Sequence, residues 1–275
     1  MSSSVRPESP APVGDAAARR THPPALLVGA SLVLVALLGL PTAVLLWRAV
    51  QPEAIQTLLA PAAAEALRLS LLTTGLSMGL TVLLGTPLAY LLARYRFRGR
   101  RLLDALVDLP VVLPPVVAGV ALLLVFGRNG VIGGPLDDLG VPLAFTTAAV
   151  VLAQTFVASP FVVITAKAAF ERVDPALEYA SQSLGKSRLT TVRRVTLPIA
   201  WPGILAGITL AFARAIGEFG ATIMLAYYPR TMPVQIWVSF TTLGLDNAFP
   251  VAVVLVGIAI VTLVVLNTLG SNPFE

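Results

Sequence analysis

Arg214 and Glu218 stand four residues apart in an otherwise apolar stretch, and of all the side chains in this sequence they have the clearest capacity for chemistry. A guanidinium can grip an anion and a carboxylate can neutralise it. Either one, left facing hydrocarbon near a helix centre, would cost about 2.5–3.5 kcal/mol or more. Both must therefore face protein, where the i, i+4 spacing lets them pair with one another or across a subunit boundary. An internal pair that fixes packing and a direct part in passing an anion both fit these residues.

Other chemistries find no residues to carry them. The chain has no cysteine, which excludes disulfides, Cys-ligated zinc and Fe–S clusters. Its single histidine, His22, precedes every apolar run, so no histidine base or ligand is available within them. An intramembrane enzyme would need a nucleophile and a base, and neither paired mid-span aspartates nor H-E-x-x-H occurs. Leu184-Gly185-Lys186-Ser187 looks like the end of a phosphate-binding loop, but such a loop needs glycine where Ala180 stands and a strand before it. No ATP site is therefore expected in the chain.

The elements that must hold Arg214 and Glu218 follow from composition. The 275 residues are 56% hydrophobic and 12% charged, against about 45–50% and about 25% in soluble domains. Six apolar runs, each of about 20 residues, can cross a hydrocarbon core of roughly 30 Å as helices. Their expected limits are 25–47, 66–93, 106–126, 143–166, 203–227 and 249–269. The net charge of +5 could suggest a nucleic-acid binder, but the placement of the charges decides otherwise. Of the basic residues, 11 fall within 94–101 and 167–194, the pattern of cytoplasmic loops. The fold expected is all-α: a polytopic membrane protein of six transmembrane helices with both termini cytoplasmic, a disordered tail over 1–24 and one domain over 25–270. It lies in the cell membrane, in contact with lipid, and binds no nucleic acid.

Three features bear on individual spans. Pro114 and Pro115 in the third remove two backbone donors and free carbonyls one turn earlier, a break that survives in a membrane only against protein or a watery cavity, so this span is expected to line a pathway. The third span also shares the pattern L-P-x-x-x-P-x-x-x-A-G at Leu109–Gly119 with Leu197–Gly207, which fits two independent uses of one way to enter the membrane or two equivalent spans. Gly75 and Gly79 form G-x-x-x-G, which permits close helix contact.

Between the fourth and fifth spans lie residues 167–202, too polar to cross and too orderly for a linker. Asp174-Pro175 supplies an N-cap and a first-turn proline, Gly185 a left-handed stop, and Ser187 a second cap for a helix ending near Leu197-Pro198. Leu177, Ala180, Ser181 and Leu184 share one face of the first helix while Glu178, Gln182 and Ser183 point elsewhere. Such a knob either docks into a cytoplasmic partner or lies in the headgroup layer.

Glu178-Tyr179-Ala180, Gly185, and Val195-Thr196-Leu197-Pro198 resemble the E-A-A, G, I-x-L-P signature of permease subunits of binding-protein-dependent ABC importers, with Tyr179 and Val195 departing from the usual Ala and Ile. The resemblance implies that Glu178, Tyr179, Ala180, Leu184, Gly185, Val195, Leu197 and Pro198 form a coupling loop seated on a separate ATPase subunit, which binds ATP and Mg while this chain binds no cofactor or metal. Ala213-Arg214-Ala215-Ile216-Gly217-Glu218-Phe219-Gly220-Ala221-Thr222 is similar to a stretch of molybdate-type permeases, as are Leu109–Gly119 and Phe126–Gly130, with sulfate permeases sharing much of the pattern. What this implies is a homodimeric pathway for molybdate or tungstate, or alternatively sulfate, with Pro114, Pro115, Arg214, Glu218 and Thr222 in the pathway or gate. Two ATPase subunits and an extracytoplasmic oxyanion-binding protein complete the complex. An ion-coupled secondary transporter would need midplane ionisable groups, for which only Arg214 and Glu218 qualify.

Overall fold

The computed structural model describes residues 25–49 and 61–270; the expected N-terminal tail, His22 and the last five residues lie outside them. Every described element is helical, in keeping with the all-α reading. Helix α1 is Ala25–Ala49; its residues up to Leu46 belong to one compact unit, and its last three residues with all the remaining helices belong to a second. At 1.5 Å per residue, its 25 residues extend about 37 Å, enough to cross a bilayer.

The second unit is built on three long helices: α2 (Pro61–Arg94), α6 (Thr147–Arg172) and α9 (Leu197–Ile216). Between α2 and α6 come α3 (Arg100–Val112), α4 (Pro115–Phe126) and the short α5 (Gly133–Asp138). Between α6 and α9 come α7 (Pro175–Ser183), α8 (Arg188–Thr191) and a π-helical turn, Val192–Thr196. After α9 follow α10 (Gly220–Leu225), α11 (Met232–Leu243) and α12 (Leu245–Gly270). Among the described residues five helical segments are long and apolar enough to cross a membrane, and they number six only if the bent pair α3–α4 crosses as one broken span.

Helices α2 and α6 run parallel, with their C-termini at one end of the bundle. Gln154 Nε2 donates to Thr74 Oγ1 (3.3 Å), Thr155 Oγ1 donates to Ser77 Oγ (3.1 Å), and Arg94 Nη2 donates to the Val173 carbonyl (2.8 Å). Helix α2 carries a stripe of small buried hydroxyl residues, Ser70, Thr73, Thr74, Ser77 and Thr81, of which Thr74 and Ser77 make the seam with α6 while Ser70 Oγ accepts from the Met232 amide at the start of α11 (2.7 Å). Helix α9 lies antiparallel against α6, since Gln154 also donates to the Ala215 carbonyl at one end while Phe170, Ala200 and Ile204 share a core cluster near the other. The buried residues are largely alanine and valine (Ala89, Ala153, Ala158, Val162, Ala211, Ala215). Where lipid and protein interior are equally apolar, small side chains that let backbones approach supply the packing energy. Gly75 and Gly79 make no such approach among the described residues: a Cβ at either would meet nothing within 4 Å.

The third span departs from a single helix over 106–126. It is two helices bent by 119° at Leu113-Pro114, and α4, at 12 residues and about 18 Å, cannot cross the core alone. The cause is the Pro114-Pro115 doublet: each proline lacks a donor, and a residue preceding proline is driven out of the helical region. Leu113 and Pro114 are accordingly extended, with ψ of 131° and 133°. The second copy of the repeated pattern behaves differently. Leu197–Gly207 lies wholly within α9, whose Pro202 stands alone in mid-helix. The two segments are therefore not structural equivalents.

The fifth span also differs from 203–227. Helix α9 starts at Leu197 and follows α8 and the π-turn without interruption, so the helix capped by Ser187 does not stop at Leu197-Pro198. At its far end it stops at Ile216, and Gly217, Glu218 and Phe219 separate it from α10.

Candidate functional site

Two clusters of the residues singled out in the sequence form at opposite ends of α9, separated by about 26 Å of helix from Leu197 to Arg214. The first is the knob α7. Asp174 Oδ1 accepts from the Ala176 amide (2.8 Å), capping the helix. At the other end the Gly185 amide donates to the Gln182 carbonyl (2.9 Å) and the Lys186 amide to the Ser181 carbonyl (3.2 Å). This pair of bonds is a Schellman stop, which requires a left-handed residue, and Gly185 has φ +77°. Ser187 Oγ then accepts from the Thr190 amide and starts α8. Gly185-Lys186-Ser187 is thus a helix stop followed by a cap, not a strand-to-helix phosphate loop.

Glu178 turns inward. Its Oε1 lies 2.9 Å from Arg94 Nη2, accepts from Arg94 Nε (3.1 Å), and accepts from Thr196 Oγ1 (2.8 Å). Arg94 simultaneously donates to the Val173 carbonyl. One carboxylate and one guanidinium therefore lash the knob to the last residue of α2, the end of α6 and the turn that opens α9. Ser181 joins them with a hydroxyl contact to Thr191 (2.9 Å). Arg100 and Lys167 add ion pairs to Glu171 (3.5 Å) and Asp104 (2.6 Å), fastening α3 to α6 at the same end. Leu177, Tyr179, Ala180 and Leu184 face outward, with Leu184 80% exposed. Val195 and Leu197 are half-buried and Pro198 is exposed in the first turn of α9. The apolar stripe read from the sequence is thus the free face, except that Ser181 belongs to the inner one. Sequence reasoning missed Arg94 and Thr191 as tethers; Arg94 had read only as one of a run of loop arginines.

The second cluster gathers the two breaks. Gly220 packs on Pro115 and Gly119 packs on Ala221 and Met224, so α4 and α10 meet backbone to backbone: a Cβ on Gly220 would lie 2.6 Å from Pro115 Cβ, and one on Gly119 2.7 Å from Met224 Cβ. Glu218 is fully buried in the gap between α9 and α10, paired to Arg214, with its other oxygen accepting from the Ala221 amide (2.7 Å). The i, i+4 pair expected inside one helix therefore spans a helix end, and Glu218 also caps α10. Arg214 keeps 29% of its side chain exposed, and Thr222 is buried one turn into α10. Pro114, Pro115, Arg214, Glu218 and Thr222 form one neighbourhood. Among the described residues no group of acidic or histidine side chains is arranged to hold a metal.

A model of the family described as "Binding-protein-dependent transport system inner membrane component" matches residues 85–271. The chain belongs to this family and is the membrane component of such a transport system. It is 61% identical over 186 residues to a probable molybdenum ABC transporter permease protein of Haloferax volcanii, covering 68% of each chain. It is 39% identical over 253 residues to the molybdate/tungstate transport system permease protein WtpB of Pyrococcus furiosus, covering 91% of this chain and 96% of that one. Among solved structures, a bacterial ABC transporter involved in the import of the acidic polysaccharide alginate shares the fold, with a TM-score of 0.68 at 20% identity, over 91% of this chain and 95% of the other.

Proposed function

We propose that this chain forms the gated pathway of an ATP-driven importer for a small oxyanion, molybdate or tungstate, as a pair of identical copies. Two ATPase subunits, which hold ATP and Mg, seat on the knob α7 from the cytoplasm, and an extracytoplasmic binding protein delivers the anion at the other face. Both termini lie in the cytoplasm. The anion chemistry is supported by the relatives named above, and sulfate is the alternative cargo, because sulfate permeases share much of the Arg214–Thr222 pattern.

The observation that carries the coupling part of this reading is the lashing of α7. Its outer face is apolar and exposed, and its inner face is tied by Glu178 and Ser181 to segments that continue into α2, α6 and α9. Force applied to the knob by a closing ATPase pair is thereby delivered to three spans at once. Transport of this kind requires two arrangements of the spans whose populations nucleotide and loaded binding protein shift. It requires no nucleophile, acid or base in this chain.

Reconstitution of the chain with its ATPase and binding protein in liposomes tests the proposal. ATP-dependent tungstate uptake that requires the binding protein is expected, with sulfate compared at equal concentration. Tungstate uptake that persists without the ATPase would overturn it in favour of an ion-coupled carrier.

A further inference from the structure

At the end of α2 opposite the knob lies a recess of about 300 Å³ that none of the roles above uses. Arg68 and Arg230 line it, with Gln235 from the first turn of α11, Tyr228 at the rim and Glu65 one turn before Arg68. Arg68 is 26 residues from Arg94 along one helix, about 39 Å, which places the recess at the face of the membrane away from the ATPase end.

The two arginines are not consumed by the fold. Among the described residues neither makes an ion pair, with Glu65 or with any other carboxylate. The Arg230 guanidinium is held over the Tyr227 ring, 5.3 Å from its centroid, and its Nε is buried without an acceptor. A buried donor left unpaired is destabilising unless a partner arrives. A guanidinium fork matches a tetrahedral oxyanion, to which it can donate two parallel bonds. Glu65 reduces the charge of the lining to a net +1, and a pathway site must let its ion go as well as take it.

We infer that Arg68 and Arg230 form an anion-receiving site at the extracytoplasmic mouth of the pathway, which takes the small oxyanion as it leaves the binding protein. In naming its ligand this rests on the oxyanion reading, but its test does not depend on transport.

The chain has no cysteine, so Ala62→Cys, on the exposed lining of the recess, is a unique reporter. Full-length protein in membranes is labelled with an anionic and with a cationic methanethiosulfonate reagent. The anionic reagent is expected to react about tenfold faster relative to the cationic one than it does with a free thiol, because a cleft of one sign concentrates its counter-ion. Arg68→Gln with Arg230→Gln should bring that preference to parity, and the double Lys variant should keep most of it. Millimolar tungstate should slow labelling in the presence of both arginines and not in their absence. Should the double Gln variant fail to insert, Arg68→Gln alone, at an exposed position, is expected to lose about half of the preference on a logarithmic scale. A preference that survives removal of the arginines, or slowing by tungstate no greater than by chloride at equal ionic strength, would overturn the inference. Protection by binding protein but not by free tungstate would also overturn it, by showing that the arginines grip a carboxylate of that protein. Tungstate protection in a permease that imports no tungstate would count against the transport reading alone.

Discussion

Glu178 is the residue on which most of the knob end of the bundle depends, because its one carboxylate answers both Arg94 and Thr196 with little water present: 13% of the Arg94 side chain and 12% of that of Glu178 are exposed. Removing one member of a buried pair leaves the other charge uncompensated, at a cost of about 3–5 kcal/mol. Glu178→Gln should therefore leave insertion intact and reduce binding-protein-stimulated ATP hydrolysis at least about tenfold, a factor that corresponds to about 1.4 kcal/mol of lost coupling. Gly185→Val should weaken co-purification of the ATPase. A left-handed conformation costs a residue with a Cβ about 1–2 kcal/mol, and since a Cβ at Gly185 would meet nothing within 4 Å, the backbone alone carries that cost. Gly185→Asn, which tolerates this conformation, should retain docking. At the other end, Arg214→Leu and Glu218→Leu should each lower the yield of folded protein, whereas the double change should recover it, giving a coupling energy of about 0.5–3 kcal/mol in a double-mutant cycle. Recovery of protein without recovery of uptake would give Arg214 a part in passing the anion. Additive losses would show that the two do not act as a pair.

At the scale of elements, the two short helices α4 and α10 depend on how closely their backbones approach. Gly119→Val would thrust a side chain against Met224 and the Ala221 backbone, where a Cβ already lies 2.9 Å from Ala221 Cα. Over-packing of this kind costs about 1–3 kcal/mol, which thermal unfolding in detergent should register as a lowered Tm while ATPase docking persists. The long helices were legible in the sequence because a run of about 20 apolar residues has one physical solution in lipid. So was the knob, since Asp174-Pro175, Gly185 and Ser187 each act on their own backbone neighbours. The stop at Ile216 was not legible: hydropathy runs unbroken from α9 into α10 and carries no record of direction, so Glu218 read as a mid-span charge and not as the residue filling a gap. The tethers of α7 were equally hidden. Arg94 lies 84 residues before Glu178, and only the parallel packing of α2 and α6 brings them together.

For the molecule as a whole, the parallel α2–α6 pair and antiparallel α9 form a frame tied at one end by Arg94, Glu178 and Thr196, with the two helix breaks and the Arg214–Glu218 pair near its other end. A frame of small-residue and hydroxyl contacts moves as rigid pieces, which suits a subunit that must switch between two arrangements without losing its core. We propose that the knob and the spans move as one piece because of the Glu178 brace. Its most direct test is to measure, in proteoliposomes holding the full complex, tungstate imported per ATP hydrolysed by the native chain, by Glu178→Gln, and by the exchanged pair Arg94→Glu with Glu178→Arg. The ratio should fall at least about tenfold in Glu178→Gln and recover in part in the exchanged pair, with the ATPase still bound in all three. An unchanged ratio in Glu178→Gln with the complex intact would contradict the account.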